Sequence, residues 1–277
     1  MSQPAKAVTE IVPPAGWRLP DLRGLAGHSD LIYFLAKRDV TVRYKQTLVG
    51  AFWAVLQPLL LALIFTLVLG QLTDVPSGGT PYGLFALAGM TMWLFVAGAI
   101  GRCSDSTLAS SEMISKVYFP RVILPLAALA VPAVDFGAAL AVLLVILVAT
   151  GHLPGPEVLL VPAVFLMAAG VALGIGLWLS ALVVRYRDVS LAVPFLLLVF
   201  LFSTPILYPL SLVPDHYQTL LSLNPLVGVM EAFRWTVLED APGPGVSVLI
   251  SAGVGALLLT SGMVYFARAE QRFADVI

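Results

Sequence analysis

The chain has 277 residues, of which 59% are hydrophobic and only 11% are charged, and its mean hydropathy is +0.96. A soluble domain of this length is usually about a quarter charged, so the composition excludes a soluble protein and predicts an integral membrane protein. The net charge of −1 gives no sign of nucleic-acid binding, and a single cysteine, Cys103, excludes a disulfide framework.

The first part of the chain predicts a polar tail and an amphipathic helix at the membrane surface. Residues 1–30 lack the apolar core of a signal peptide, so we expect a cytoplasmic tail with a short interfacial piece at Leu19–Leu25. Apolar and charged residues are interleaved over residues 31–50, as is typical of a cationic helix in the interfacial plane, although a simple topological anchor would also carry these charges. The polar side chains that we single out are Lys37, Arg38, Asp39, Arg43 and Tyr44.

Six apolar runs are long enough to cross a bilayer, because a helix rises about 1.5 Å per residue and roughly 20 residues span the hydrocarbon. The runs are Ala51–Leu72, Tyr82–Cys103, Val122–Thr150, Glu157–Val184, Ser190–Leu207 and Val246–Ala267. They predict an all-α membrane domain of six transmembrane helices over residues 51–267. Gln57 and Pro58 predict a kink in the first of these helices.

The segment 208–245, between the fifth and sixth runs, predicts a helical insertion and not another span. Its apolar part, Pro225–Leu238, is too short and too charged to cross, so we expect a re-entrant or surface-lying helix. Glu231 and Arg234 lie one turn apart in this helix and are spaced to pair on one of its faces.

Lysine and arginine residues concentrate on one side of the predicted bundle, which sets its orientation by the positive-inside rule. With Met1 in the cytoplasm, fourteen of the fifteen cations fall on the cytoplasmic side. Residues 104–121 and 184–190 are then inner loops, and residues 268–277 form a cytoplasmic C-terminal tail. Arg102 lies at the inner end of the second span, from which its side chain can extend to the interface.

The first inner loop is richer in side-chain chemistry than topology requires. Ser111–Arg121 combines apolar, aromatic and charged side chains, which predicts a short helix that presents an apolar face to a soluble partner. The charges of the second inner loop predict a smaller contact with the same partner. An equally good alternative is that they only fix the orientation of the chain in the membrane. The residues that we assign to these contacts are Glu112, Ile114, Lys116, Tyr118, Phe119 and Arg121 in the first loop, and Arg185, Arg187 and Asp188 in the second.

Asp135 is the one acidic residue well inside a predicted span, and a carboxylate in the membrane is costly enough to suggest a function. A protonated or hydrogen-bonded helix contact explains this residue equally well. A proton-driven carrier would need such a group, but the sequence offers Asp135 no evident basic partner within the membrane.

The chain offers no evident catalytic chemistry. It has no Gly-x-x-x-x-Gly-Lys-Ser/Thr phosphate-binding loop, so any ATP would have to be bound by another polypeptide. His28, His152 and His216 are far apart without metal-ligand spacing, and we assign no metal site. Candidates for lining a transport path, each more commonly a lipid-facing or core residue, are Trp53, Trp93, Phe95, Asp135, Phe202 and Tyr208.

An ordered set of short motifs runs through nearly the whole chain, from about Leu31 to Phe266. It comprises Lys37-Arg38-Asp39, Arg43-Tyr44-Lys45-Gln46-Thr47, Gln57-Pro58, Lys116 to Arg121, Leu124-Pro125, Arg187-Asp188, Ser203 to Pro209, Asn224-Pro225 and Phe233-Arg234. In this order the set resembles the ABC-2 type permeases that export polysaccharides, namely O-antigen, teichoic acid, capsule and related cell-wall glycans.

The resemblance implies a membrane subunit without its own nucleotide site, in the plasma membrane of a bacterium. Two copies would form the path for a lipid-linked polysaccharide, and two separate ATPase subunits would bind ATP and Mg²⁺. Ser111–Arg121 would be the helix that couples to the ATPase, and Leu31–Tyr44 would be a gate helix near the substrate's entry. Export of a small amphiphile on the same fold is the alternative within transport, and a membrane-embedded glycan or lipid enzyme is the alternative outside it.

Overall fold

The computed structural model describes residues 27–45, 52–71 and 79–273, and within these ranges the regular structure is helical, as predicted. The helix Phe52–Phe65 continues into a π-helical turn at Thr66–Gln71, and the helix Val161–Arg185 is preceded by a 3₁₀ turn at Pro156–Leu160. The predicted interfacial piece at Leu19–Leu25 lies outside the described residues. The helices are α1 (Ser29–Lys45), α2 (Phe52–Phe65), α3 (Tyr82–Ala109), α4 (Ser111–Lys116), α5 (Ile123–Ala128), α6 (Ala130–Ala149), α7 (Val161–Arg185), α8 (Asp188–Ser203), α9 (Asp215–Ser222), α10 (Pro225–Val237) and α11 (Val246–Glu270).

Five of the six predicted spans are present as helices that are long and apolar enough to cross a membrane. In the part of the chain that the structure describes, these are Phe52–Gln71, Tyr82–Ala109, Ile123–Ala149, Pro156–Arg185 and Val246–Glu270. Each overlaps its predicted run closely, which shows that the length of the apolar runs located these elements well.

The predicted count of six spans is not confirmed, because the run Ser190–Leu207 forms a shorter helix, α8, of 16 residues. A helix of this length extends roughly 24 Å, less than the ~30 Å of hydrocarbon in a typical bilayer. Helix α8 ends at Ser203 because Pro205 disfavours helical backbone at the preceding residue, and Thr204 is accordingly extended, with φ −102° and ψ 139°.

Helix α10 is buried in the bundle and does not lie on its surface. Asn224 caps its N-terminus by accepting a hydrogen bond from the backbone N–H of Leu226 at 3.0 Å, and Pro225 occupies the first turn. The helix packs against α7 and α11, and most of its residues are buried. Both placements relative to the membrane that the sequence left open, re-entrant and surface-lying, stay predictions.

The predicted pairing of Glu231 with Arg234 is wrong. Arg234 is buried and donates hydrogen bonds to the carbonyl oxygen of Pro205 at 2.6 Å and to that of the next residue. Its guanidinium carbon lies 3.7 Å from the ring centroid of Phe85. Glu231 instead accepts a hydrogen bond from the hydroxyl of Ser247. Arg234 binds carbonyl groups because the non-helical backbone after α8 leaves them free to accept hydrogen bonds.

The core of the bundle is centred on α3, which packs against α2, α6, α7 and α10. Buried aromatic rings meet in this core. The ring centroid of Phe95 lies 5.5 Å from that of Phe136 and 4.7 Å from that of Phe165, and Phe136 lies 5.8 Å from Phe233. Tilted contacts at such distances stabilise aromatic pairs beyond the area that they bury. Helix α3 is therefore the fixed centre against which the outer helices are placed.

Glycines allow α7 and α11 to approach closely. A Cβ atom on Gly174 of α7 would lie 2.7 Å from the backbone nitrogen of Leu259 in α11. A Cβ atom on Gly262 of α11 would lie 2.7 Å from the carbonyl oxygen of Gly174. Small residues at such crossings let helix backbones touch. This glycine stripe is thus used for packing within one chain.

We predict that Gly174→Ala lowers the thermal stability of the purified protein, because a methyl group would collide with the backbone of α11. Overpacking of this kind costs about 1–3 kcal/mol. The matched control is Gly253→Ala in α11, whose added Cβ atom meets nothing within 4 Å. Thermal unfolding in detergent should give a lower midpoint for Gly174→Ala and an unchanged or higher midpoint for Gly253→Ala. Equal midpoints would contradict the close approach of the two helices.

Candidate functional site

Helix α1 packs against the start of the third span through an apolar cluster. Leu35 is buried with Ile114, Phe119, Ile123, Leu124 and Ala127. The helix also lies alongside α5 and α6. The helical part of the prediction for residues 31–50 is therefore confirmed up to Lys45, residues 46–50 lie outside the described ranges, and the interfacial placement stays a prediction.

An ion pair joins α1 to α6. A guanidinium nitrogen of Arg43 lies 2.7 Å from one carboxylate oxygen of Asp135, and the hydroxyl of Tyr44 donates a hydrogen bond to the other oxygen. Burial, and then this hydrogen bond, raise the pKa of Tyr44, so its hydroxyl stays protonated and remains a donor at neutral pH. The side chains of Arg43 and Asp135 are 36% and 22% exposed, so the pair is partly shielded and still open to exchange.

The expectation that Asp135 lacks a basic partner is therefore wrong. Its partner comes from the amphipathic helix and not from another span, and sequence reasoning missed the pair because 92 positions separate the two residues. A carboxylate inside a membrane needs a partner. The cations of the predicted amphipathic helix were therefore the feature of the sequence from which this ion pair could have been predicted.

A cavity of about 220 Å³ opens beside this ion pair, between α1, α2, α3 and α6. It continues into a wider cavity of about 700 Å³ that shares Arg43, Ala97, Gly98 and Arg102 with it. Polar side chains of Gln57 and Thr91 line the inner part together with the charged groups. The complete lining of the inner part is Arg43, Ala54, Gln57, Pro58, Thr91, Leu94, Phe95, Ala97, Gly98, Arg102, Pro132, Asp135, Phe136 and Ala139.

Arg102 is the second cation in this cavity. It lies on α3, is half-buried, and lines both parts of the cavity. Among the described residues, its guanidinium forms no ion pair, whereas Arg43 is bound to Asp135. The inner cavity thus contains two guanidinium groups and one carboxylate, and the wider cavity adds the carboxylates of Asp39 and Asp105. The sequence analysis predicted only that the side chain of Arg102 can extend to the membrane interface.

Some of the predicted contact residues of the first inner loop are buried, and others are exposed. Ile114 and Phe119 are buried, because they pack on α1. Tyr118 is 80% exposed, and Lys116 forms an exposed ion pair with Glu112 at 3.6 Å. Only the exposed side chains are therefore available to a partner, while the two buried ones hold the loop to α1.

Arg121 is bound within the chain. Its backbone N–H donates to a carboxylate oxygen of Glu270 at 2.8 Å, and its guanidinium donates to the carbonyl oxygen of the same residue. The guanidinium also lies 5.8 Å from the ring centroid of Phe273. The first inner loop is thereby tied to the last turn of α11. We refer to the end of the bundle that holds Arg121, Arg185 and Arg268 as the charged end.

The second inner loop is short and exposed. Arg185, Arg187 and Asp188 are all exposed, and the guanidinium carbon of Arg185 lies 5.1 Å from the ring centroid of its neighbour Tyr186. The loop therefore presents charged side chains outward, as a contact with a partner requires.

The predicted path residues differ in burial. Trp93 and Phe95 are buried in the core, and Phe95 lines the inner cavity together with Asp135. Trp53 is 51% exposed on α2, and Phe202 is 63% exposed on α8. Tyr208 is partly buried and donates a hydrogen bond to the carbonyl oxygen of Phe202 at 3.3 Å. The single chain therefore brings two pairs of these residues together, and the described lining of the inner cavity includes neither Trp53 nor Trp93.

The fold and the charged end define a multi-pass helical membrane protein whose polar contacts connect a surface loop, an amphipathic helix and an internal cavity. The model of the ABC-2 type transporter family matches residues 30–238, from α1 through α10. The chain therefore belongs to the ABC-2 type transporter family, a family of transport components, and the resemblance read from its motifs is confirmed.

Similar proteins are named as polysaccharide export components. An O-antigen export system permease protein RfbA of Myxococcus xanthus is 28% identical over 92% of this chain and 98% of its own length. An O-antigen export system permease protein RfbA of Klebsiella pneumoniae is 25% identical over 90% of this chain and 95% of its own length. The polysialic acid transport protein KpsM of Escherichia coli is 23% identical over 84% of this chain and 91% of its own length.

We predict that Arg43 and Asp135 are energetically coupled. In a double-mutant cycle of Arg43→Gln and Asp135→Asn, each single variant should destabilise the protein, and the double variant should be little worse than either. The expected coupling is about 1–3 kcal/mol, measured by unfolding in mixed micelles. Two strictly additive single effects would contradict the pairing.

The matched control is the neighbouring ion pair within α1. Arg38 and Asp39 lie 2.9 Å apart, their side chains are 55% and 29% exposed, and the two residues are adjacent in sequence, so their pairing joins no second helix. Asp39→Asn should therefore change stability by less than about 0.5 kcal/mol.

Proposed function

We propose that this chain is the membrane subunit of an ATP-driven exporter of a lipid-linked polysaccharide. The observation that carries the proposal is similarity over nearly the full length of both chains to permeases named for O-antigen export, within a matching transporter family. We further propose a homodimer in the bacterial plasma membrane, with both termini in the cytoplasm, and a separate pair of ATPase subunits that bind ATP and Mg²⁺.

The distribution of charge supports this orientation. Of the described cations, eleven belong to α1, the inner end of α3, the two inner loops and the end of α11, and Arg234 alone belongs to the opposite half. The positive-inside rule places such an end in the cytoplasm, where an ATPase can reach it. The exposed Glu112, Lys116 and Tyr118 then form the main docking face, and Arg187 and Asp188 a smaller one.

The contacts of the first inner loop supply a route from the ATPase to the substrate's entry. Ile114 and Phe119 are buried against Leu35 of α1, and Arg43 of the same helix binds Asp135. Movement of the loop would therefore be transmitted to α1, which we propose acts as the gate helix. Because the Arg43–Asp135 pair is partly exposed, it can break and re-form as α1 moves.

The cavity beside the ion pair suits the head of a lipid-linked glycan. Such a carrier presents phosphate groups, and Arg43 and Arg102 offer guanidinium donors of the kind that bind phosphate. Gln57 and Thr91 add neutral groups that can hydrogen-bond to sugar hydroxyls. The wider cavity of about 700 Å³ gives room for entry from the charged end.

The exposed faces of α2 and α8 support a path between two copies. Only three residues of α2, and Val193 alone on α8, are buried within the single chain. The exposed aromatic side chains Trp53 and Phe202 lie on these helices, and aromatic rings stack well on the apolar faces of sugars. We propose that these faces meet the second copy or the polymer in the assembled exporter.

We predict that Lys116→Glu combined with Tyr118→Ala abolishes glycan export while leaving the protein folded, because both side chains are exposed. Retention of the ATPase during purification should fall by about tenfold or more, as expected for the loss of interface anchors. The measurements are glycan at the cell surface and co-purification of the ATPase from cells that produce both subunits.

The matched control is Tyr217→Ala, which removes an exposed tyrosine of α9, a helix outside both proposed docking faces, and should leave both measurements unchanged. Normal export by the double variant would refute the docking role of the loop. Transport of small amphiphiles without any change in surface glycan would refute the proposed substrate.

A further inference from the structure

Both groups that bind Asp135 belong to one helix. Arg43 and Tyr44 are adjacent residues of α1, and each binds a different oxygen of the carboxylate. A movement of α1 away from α6 would therefore remove both partners at once. A carboxylate left unpaired inside an apolar span is strongly destabilised. The free energy needed to move α1 thus depends on whether another cation can bind Asp135.

We infer that Arg102 of α3 is this cation, so that Asp135 exchanges Arg43 for Arg102 when α1 moves away. Arg102 lines the same inner cavity as the two other residues, and among the described residues it forms no ion pair. In this exchange Arg102 positions the gate helix, a role beyond the contact with a phosphate group proposed above. The gating role of the exchange rests on the proposed function of α1, whereas the pairing itself does not.

The packing of α3 on α6 shows how these two helices run. A Cβ atom on Gly98 of α3 would lie 3.6 Å from the Cβ atom of Pro132 in α6. The ring of Phe95, one turn earlier in α3, contacts that of Phe136, one turn later in α6, with centroids 5.5 Å apart. The contacts advance in opposite directions along the two helices, so the helices are antiparallel.

Arg102 and Asp135 lean toward each other across the cavity. Arg102 follows Gly98 by four residues, and Asp135 follows Pro132 by three. In antiparallel helices these steps lead in opposite directions, so the two residues are offset by about 10 Å at 1.5 Å per residue. The side chain of a helical residue tilts toward the N-terminus of its helix, and each of these two side chains therefore leans toward the other. Since Gly98 has no side chain to block this direction, the long side chain of Arg102 can approach Asp135 by a change of rotamer.

The present position of Arg43 prevents the exchange while α1 is in place. Its positive charge acts against that of Arg102, whereas the carboxylate of Asp135 attracts Arg102. Two guanidinium groups compete for one carboxylate, and Arg43 holds it at 2.7 Å. Departure of Arg43 would free the carboxylate and remove the repulsion in the same step, so that Arg102 could bind it.

Other carboxylates near Arg102 are less suited to bind it after α1 has moved. Asp39 also attracts Arg102, but more weakly than Asp135 does. It belongs to α1, where it is bound to Arg38 at 2.9 Å, and it would move away with the helix. Asp105 lies three residues after Arg102 on α3, opposite to the direction in which that side chain tilts. Asp135 is therefore the favoured partner.

The test is a set of mutant cycles on the stability of the full-length purified chain in mixed micelles. In the wild-type background, Arg102→Gln should change the unfolding equilibrium constant by less than about threefold, because Arg43 still binds Asp135. In the Arg43→Gln background, Arg102→Gln should destabilise the chain by about tenfold or more, since the carboxylate then loses its last cation. Adding Asp135→Asn should remove this loss.

Two controls separate charge pairing from packing. Arg102→Lys keeps the charge and much of the length of the side chain, so in the Arg43→Gln background its loss should be smaller than that of Arg102→Gln. Arg38→Gln removes an arginine of α1 that lines only the wider of the two cavities. Its effect in the same background should not depend on Asp135.

A second measurement requires only the single variant Arg43→Gln. In its structure a guanidinium nitrogen of Arg102 should lie within about 4 Å of a carboxylate oxygen of Asp135, the limit for an ion pair. An unpaired Asp135, or an ion pair of Arg102 with Asp39, would overturn the inference. So would an equal effect of Arg102→Gln with and without Asp135→Asn, because that result would indicate a purely structural role. None of these measurements involves transport, so their failure would leave the export proposal untouched.

Discussion

The organisation of the charged end follows from one constraint: a charge removed from bulk water must meet an opposite charge or a hydrogen-bonding partner. Asp135 lies in the middle of an apolar span, and it is satisfied by Arg43 and Tyr44 of α1. This requirement holds an otherwise peripheral helix against the bundle. The same contact forms one wall of the cavity at which Arg102 is left without an ion pair among the described residues.

Directional contacts of this kind matter because apolar packing between membrane helices gives little register by itself. Two sets of contacts, one apolar and one polar, converge on the first inner loop. One leads through the buried Phe119 and α1 to Asp135, and the other leads through Arg121 to Glu270 at the end of α11. The loop is therefore attached to two separate parts of the bundle. A force applied to its exposed tip would act on both parts together.

Much of the fold could be predicted from the sequence, because span length and positive charge follow directly from the bilayer as a solvent. Five spans and the helical character of α1 agree with the structure. The fifth predicted span is not confirmed, since hydropathy does not register that Pro205 ends a helix two residues earlier. The site was harder to predict. Amphipathicity showed that the loop at Ser111–Arg121 has an apolar side, but not that this side faces α1 within the same chain.

Two shielded arginines of the bundle are bound by different kinds of partner, and this difference bears on mechanism. Arg234 is held by two backbone carbonyl groups and the ring of Phe85, and it is 6% exposed. Carbonyl groups in a fixed backbone cannot move away without unfolding the turn after α8. Arg43 is held by a carboxylate that remains 22% exposed, which water or a competing phosphate can reach. Arg234 is thus fixed among its partners, whereas Arg43 can exchange its partner. Motion during transport should for this reason begin at α1.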